Sequence, residues 1–223
     1  MTEIRARDLI PPILIRGLES AWSQVAARGA ARRLRGQTRL HLGCGTNILD
    51  GWANIDRHDG PGVIGCDLTE RLPVASSSVD LIFSEHFVEH ITHAQAHVLL
   101  AECRRVLKPG GIIRISTPNL KALVREYSLG RVTEWADVGW SPSSPCGLLN
   151  EGLRLWGHQY VYDTGELTAL LAGAGFQNIS AVEWRASEHP LLCGLEQRPY
   201  HDDVLLEAVR PASESDGSSE ERR

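Results

Sequence analysis

Two groups of residues in this chain have types and spacings that can do chemistry. The first is Arg39-Leu40-His41-Leu42-Gly43-Cys44-Gly45-Thr46-Asn47, an apolar strand pattern that breaks into a glycine pair and is soon followed by Asp56. Glycine has no Cβ and tolerates positive φ, so Gly-x-Gly after a strand lets the backbone turn sharply and approach a ligand. The second is Ser84-Glu85-His86-Phe87-Val88-Glu89-His90, also at the end of an apolar strand pattern. His158, in Trp156-Gly157-His158-Gln159-Tyr160, is a more distant candidate. Imidazole titrates near neutral pH, so these histidines can move protons or ligate metals.

The glycine loop narrows the choice of cofactor. A dinucleotide loop needs Gly-x-Gly-x-x-Gly, with a helix N-terminus facing the pyrophosphate. Here the third glycine position is Ile48. The stretch from Gly45 to Ile55 is also shorter than the roughly ten to twelve residues of a crossover with its helix. The first crossover helix is therefore expected to shrink to about a turn, which argues against NAD and FAD. An adenosine ligand without phosphates fits better. Backbone amides at the glycines can meet its amino-acid end, and Asp56 can accept from both ribose hydroxyls. S-adenosylmethionine is such a ligand. The plainer alternatives are a tight turn for Gly43 and Gly45, a cap for Asp56, a strand end for Asp67 and a small core filler for Cys44.

These residues must be positioned by alternating elements. Strand patterns end at Leu42 and run over Trp52 to Asp56, Val63 to Asp67, Val79 to Ser84, Ile112 to Thr117, Asn178 to Trp184 and Val204 to Val209. A helix is expected around Leu18 to Arg33. Another follows the capping box Thr92-x-x-Gln95, and a third follows Asp163-x-x-Glu166. The order predicts an α/β fold: a three-layer, doubly wound, mostly parallel sheet with a shortened first crossover helix and ligands at the carboxyl ends of the strands. The last two strands lack an intervening helix, so one is expected to run antiparallel. Residues 1–38 are expected to form a helical segment that caps the substrate, and residues 39–210 the cofactor-binding domain. Within it, 119–162 reads as a loop-rich insertion with the character of a lid, and 211–223 as a disordered tail with nothing to bury.

At 223 residues and 42% apolar, the chain suffices for one such domain. A net charge of -5 argues against a dedicated nucleic-acid binder. Arginines before Leu40 read as a solvated helix face. Five widely spaced cysteines without a Cys-x-x-Cys pair suggest a reduced, cytoplasmic protein. The run Leu9 to Ile15 is broken by Pro11 and Pro12 and is too short to span a membrane, so no membrane partner is expected.

The motif set resembles the class I S-adenosylmethionine-dependent methyltransferases. His41-Leu42-Gly43-Cys44-Gly45-Thr46 is similar to their glycine motif and Asn54-Ile55-Asp56 to their acidic end of strand two. Cys66-Asp67-Leu68 is similar to their adenine-contacting turn, and Leu107-Lys108-Pro109-Gly110-Gly111 to the helix-to-strand turn of the small-molecule branch. Ser84-Glu85-His86-x-x-Glu89-His90 and the compact Gly-Trp-x-Asn-Ile-Asp spacing resemble bacterial members of unsettled substrate. The resemblance implies a cofactor site of Leu42, Gly43, Cys44, Gly45, Thr46, Asn47, Asp56, Asp67, Leu68 and Ser84. It also implies an acceptor pocket built from the N-terminal helix and the segment after strand five.

The implied chemistry is methyl transfer to a small-molecule or sugar-like acceptor, at oxygen, with a histidine managing one proton. His86 is the first candidate base, Glu85 its orienting group or a cofactor contact, and His158 the second base or a backbone-bonded structural histidine. Two readings compete: a cofactor-binding scaffold without turnover, and a zinc hydrolase using His-x-x-Glu-His on a helix. The motif's place at a central strand end disfavours the hydrolase, so no metal is expected.

Overall fold

A computed structural model describes residues 28–132 and 138–212. The segments expected at residues 1–27, most of the N-terminal helix and cap, and the tail from residue 213 lie outside the described residues. A helix ends at residue 34 (α1, described over 28–34). It is followed by β1 (Arg39–Leu42), β2 (Ala53–Asp56), β3 (Val63–Gly65) and β4 (Val79–Glu85). Then come α2 (His93–Val106), β5 (Leu107–Thr117), α3 (Leu120–Ser128) and α4 (Pro145–Arg154). The fold closes with α5 (Thr164–Gly173), β6 (Gln177–Ala181) and β7 (Val204–Val209). The strands form one sheet in the order β3-β2-β1-β4-β5-β7-β6.

The central strands are parallel, and β7 runs antiparallel to both β5 and β6. Leu40, Leu42, Ile55, Ile82 and Ile113 are buried, because a parallel sheet covered by helices leaves no wet face. The expected capping box of α2 is complete: the Thr92 hydroxyl accepts from the Gln95 amide, and the Gln95 side chain accepts from the Thr92 amide.

No helix joins β1 to β2; residues 43–52 form turns instead. A buried polar pair replaces the missing packing. The Asn54 amide oxygen accepts from Leu49 N (2.9 Å), its nitrogen donates to Leu49 O (3.1 Å), and His41 Nδ1 lies 3.0 Å from the same oxygen. Burial pushes the His41 imidazole down to about 4, against the hydrogen bond to Asn54 and the charge of Asp56.

The stretch expected to be loop-rich carries two helices. Ser144 caps α4 by accepting from Gly147 N, with Pro145 at the first helical position, where a missing N–H costs nothing. Asn119 caps α3 by accepting from Lys121 N. The two helices enclose a small second core of Leu123, Trp140, Leu148 and Val161. An added Cβ at Gly152 would lie 2.9 Å from Leu123 Cδ1, so glycine permits the close approach. None of the described helices is long and apolar enough to cross a membrane.

Candidate active site

At the carboxyl end of β1 the chain enters Gly43 and Gly45, with φ of 68° and 53°. A Cβ at Gly43 would lie 2.3 Å from Phe87 Cγ, so only glycine lets that ring close over the loop. A Cβ at Gly45 would meet nothing within 4 Å, because this glycine borders a cavity of about 440 Å³. Asp56, Cys66, Asp67 and Leu68 also line it.

The loop amides face inward, contrary to expectation. Gly43 N and Cys44 N donate to Ile55 O (2.9 and 3.1 Å), and Gly45 N donates to Asp56 Oδ2 (2.7 Å). With the crossover helix gone, these bonds hold the β1–β2 turn. The loop thus offers a ligand a surface free of side chains. Asp56 Oδ1 accepts from Arg57 N at 2.6 Å. Each carboxylate oxygen has two lone pairs, so Asp56 keeps capacity for ribose hydroxyls. Asp67 Oδ1 accepts from the Thr69 hydroxyl (2.6 Å) and amide (2.9 Å), bonds that hold its carboxyl below the usual range against partial burial. An acidic rim and a bare glycine turn without a phosphate-binding helix suit S-adenosylmethionine.

Several expected cofactor residues sit behind this surface. Leu42 and Ser84 are buried, and the Ser84 hydroxyl donates to Leu42 O at 3.2 Å, tying β4 to β1. Cys44 is buried, and burial pushes its thiol up to about 11, as befits a filler. Thr46 is exposed, and Asn47 Nδ2 donates to Glu85 Oε2 at 3.4 Å.

A second cavity of about 190 Å³ adjoins the first, and His86, His90 and Arg198 line both. Its other walls include Glu89, Leu123, Trp156 and His158. His86 has a φ of 48° immediately after β4, and its amide donates to Ser116 O at 2.9 Å. That turn places the ring between two carboxylates: Nε2 is 3.3 Å from Asp203 Oδ2 and Nδ1 is 3.5 Å from Glu89 Oε1. Burial opposes a charge on His86, but the bond to Asp203 and the charges of Glu89 and Asp203 outweigh it and raise its pKa.

Glu85 does not orient His86. Its carboxylate is taken up by backbone amides instead, accepting from Gln197 N (3.1 and 3.2 Å) and Arg198 N (3.0 Å). Glu85 thus straps the 196–198 segment to the sheet, while His86, just past the strand with a left-handed backbone, turns toward the cavities. The orienting groups that sequence reasoning missed are Asp203 and Glu89. Asp203 reaches the site because β7 is antiparallel, and pairing of Val204 with Thr117 brings the start of β7 to the carboxyl end of β5.

The His-x-x-Glu-His spacing is not helical either. A short 3-10 turn covers only Val88–His90, and His86 lies outside it. His158 is drawn in instead, because Gln159 N and Tyr160 N donate to Glu89 O (2.7 and 3.2 Å). His158 Nδ1 donates to Gly152 O at 2.9 Å, and its ring packs 5.1 Å from that of His90. Burial pushes the His90 imidazole down to about 4 and lowers His158 as well. Ser187 to Pro190 lies elsewhere: His189 borders a different cleft with Arg39, Asp80 and Lys108.

The strand order, the single antiparallel strand and the acidic residue closing β2 beside a bare glycine turn describe a Rossmann-like methyltransferase domain. In fold and in sequence the chain is similar to the class I S-adenosylmethionine-dependent methyltransferases. A family model described as a methyltransferase domain matches residues 50–115. A probable S-adenosylmethionine-dependent methyltransferase of Mycolicibacterium smegmatis is 29% identical over 176 residues, covering 69% of this chain and 57% of that protein. The chain thus spans little more than half of that relative's length. A malonyl-[acyl-carrier protein] O-methyltransferase of Methylococcus capsulatus is 38% identical over 78 residues, 32% of this chain and 26% of that protein. The crystal structure of an S-adenosylmethionine-dependent methyltransferase from Mesorhizobium loti shares the fold, with a TM-score of 0.50 and 19% identity over 83% of this chain and 98% of that one.

Proposed function

We propose that this chain transfers a methyl group from S-adenosylmethionine to an oxygen of a small-molecule or sugar-like acceptor. The observation that carries this reading is the wall of His86, His90 and Arg198 common to the two cavities. A donor in the larger cavity and an acceptor in the smaller would meet at that wall. When bound, S-adenosylmethionine supplies an electrophilic methyl group and a neutral sulfide leaving group. The chain's work is then alignment and removal of one proton.

Asp56 and Asp67 hold the adenosine end beside Gly43, Gly45 and Leu68. His86 serves as base: Asp203 orients Nε2, and Nδ1 faces Glu89 at 3.5 Å, too long for a strong hydrogen bond. Leu123 and Trp156 supply apolar cover, so the described parts of the 119–162 stretch serve as the acceptor-side lid. Similarity to an O-methyltransferase supports oxygen as the acceptor atom. The size of the acceptor cavity and the net charge of -5 favour a small molecule over nucleic acid or membrane. The described cysteines are all free, in keeping with the cytoplasm.

The test is transfer of tritium-labelled methyl from S-adenosylmethionine to a panel of small hydroxylated and carboxylated compounds. Product formation by the wild type and its loss in His86→Ala are expected. Binding of S-adenosylhomocysteine with no transfer to any compound would favour the scaffold reading instead.

A further inference from the structure

Glu89, His90 and His158 converge at the floor of the acceptor cavity, and their ligating atoms all lie within 4.8 Å of one another. Glu89 is fully buried, yet its Oε1 accepts no hydrogen bond among the described residues. Its other oxygen is satisfied by the Thr117 hydroxyl at 2.9 Å. A buried carboxylate oxygen without a donor is costly, and a cation is one of the few groups that relieves it. Two imidazole nitrogens stand near that oxygen beyond hydrogen-bonding geometry, His86 Nδ1 at 3.5 Å and His90 Nε2 at 3.8 Å.

His158 has the arrangement of a metal ligand. A carbonyl can only accept, so the bond from Nδ1 to Gly152 O fixes the proton on Nδ1 and leaves the lone pair on Nε2. Metal-ligating histidines characteristically donate their other nitrogen to a backbone carbonyl in this way.

We infer that Glu89, His90 and His158 form a two-histidine, one-carboxylate site for a divalent transition metal of the zinc type, with its open position facing the acceptor cavity. Ligand atoms about 2.0–2.1 Å from zinc stand roughly 3.3 Å apart in a tetrahedron, so the three side chains need to close by up to about 1.5 Å. Imidazole and carboxylate together suit zinc and its neighbours better than magnesium or calcium. Arg198, an exposed residue of the cavity wall, adds a like charge that opposes the ion, and the same charge lowers the pKa of Glu89, His90 and His158 and so favours their unprotonated, ligating forms. The pairing differs from the spacing in the sequence: His86 is held by Asp203, and His158 takes its place.

The role of the ion rests on the methyl-transfer reading. Held by Glu89, His90 and His158, such an ion would supply Lewis-acid polarisation of an acceptor oxygen, and would engage the Glu89 Oε1 that otherwise faces His86 Nδ1 at 3.5 Å. The existence of the site is independent of that reading.

Chelator-treated full-length protein, titrated with Co2+ by visible absorption and with Zn2+ by calorimetry, provides the test. One ion per chain is expected, with intense low-coordinate Co2+ bands that Zn2+ abolishes. His90→Ala and His158→Ala should each weaken metal binding at least about a hundredfold while folding cooperatively, and His158→Ala, which lies outside the cofactor cavity, should still bind S-adenosylhomocysteine. Failure of the folded wild type to take up one equivalent, or wild-type metal affinity in both variants, would overturn the inference. Metal binding without S-adenosylhomocysteine binding would instead count against the methyl-transfer reading alone.

Discussion

His86 Nε2 lies 3.3 Å from Asp203 Oδ2, a contact between the end of β4 and the start of β7. The antiparallel course of β7 makes it. Were that strand parallel, its first residues would lie at the amino end of β5, away from His86. On this account Asp203 is a positioning residue that holds the His86 ring toward the acceptor cavity. Asp203→Asn should lower methyl transfer roughly a hundredfold or more, the scale of general base catalysis. Affinity for S-adenosylhomocysteine should stay within a factor of about two. Equal losses of transfer and binding would show a general disturbance of the site.

Gly43 and Gly45 should behave differently although both have positive φ. Gly43→Ala drives a methyl group into the Phe87 ring, so overpacking of about 1–3 kcal/mol adds to backbone strain, and the cofactor cavity loses its wall. Gly45→Ala meets open space and bears only the strain of a left-handed residue, about 1–2 kcal/mol. Urea unfolding of the two variants beside the wild type measures the difference.

Much of the cofactor side is legible in the sequence because its cues are local. The strand into Gly43, the acidic end of β2 and the Thr92–Gln95 capping box each lie within a few residues. The acceptor side depends on distant pairings. Nothing near Glu89 announces that Gln159 and Tyr160 will dock on its carbonyl, and nothing near Asp203 announces His86. The pair α3 and α4 was hidden for another reason: Ser144-Pro145 is turn chemistry and helix-start chemistry alike, and only the apolar face of Leu148 and Gly152 packing on Leu123 separates the two.

His41 ties stability to pH. Its folded imidazole is held near 4 by burial, below the unfolded value of about 6.5, so the unfolded chain binds the extra proton between those limits. Its contribution is complete above about pH 6.5 and is lost as pH falls toward 4. The integrated effect is on the order of 3 kcal/mol. Urea unfolding at a series of pH values should show this slope, and His41→Gln should flatten it.

Arg114 is wholly buried, donating to Glu196 and Glu207 at 2.6 Å each and to the carbonyls of Ala186 and Glu183. These bonds hold the segment that leads to Arg198. Arg114→Met leaves Glu196 buried without its partner and should cost about 3–5 kcal/mol in thermal or urea unfolding. A loss below about 1 kcal/mol would mean that the segment is held by other contacts.

The central claim, that the glycine turn and Asp56 cradle the methyl donor, is tested most directly by calorimetric titration of S-adenosylhomocysteine into wild type and Asp56→Ala. The account predicts saturable one-to-one binding by the wild type. It also predicts weakening of at least about tenfold in the variant, the value of one charged hydrogen bond near 1.5 kcal/mol. Absence of binding by folded wild-type protein, or equal affinity in Asp56→Ala, would contradict it.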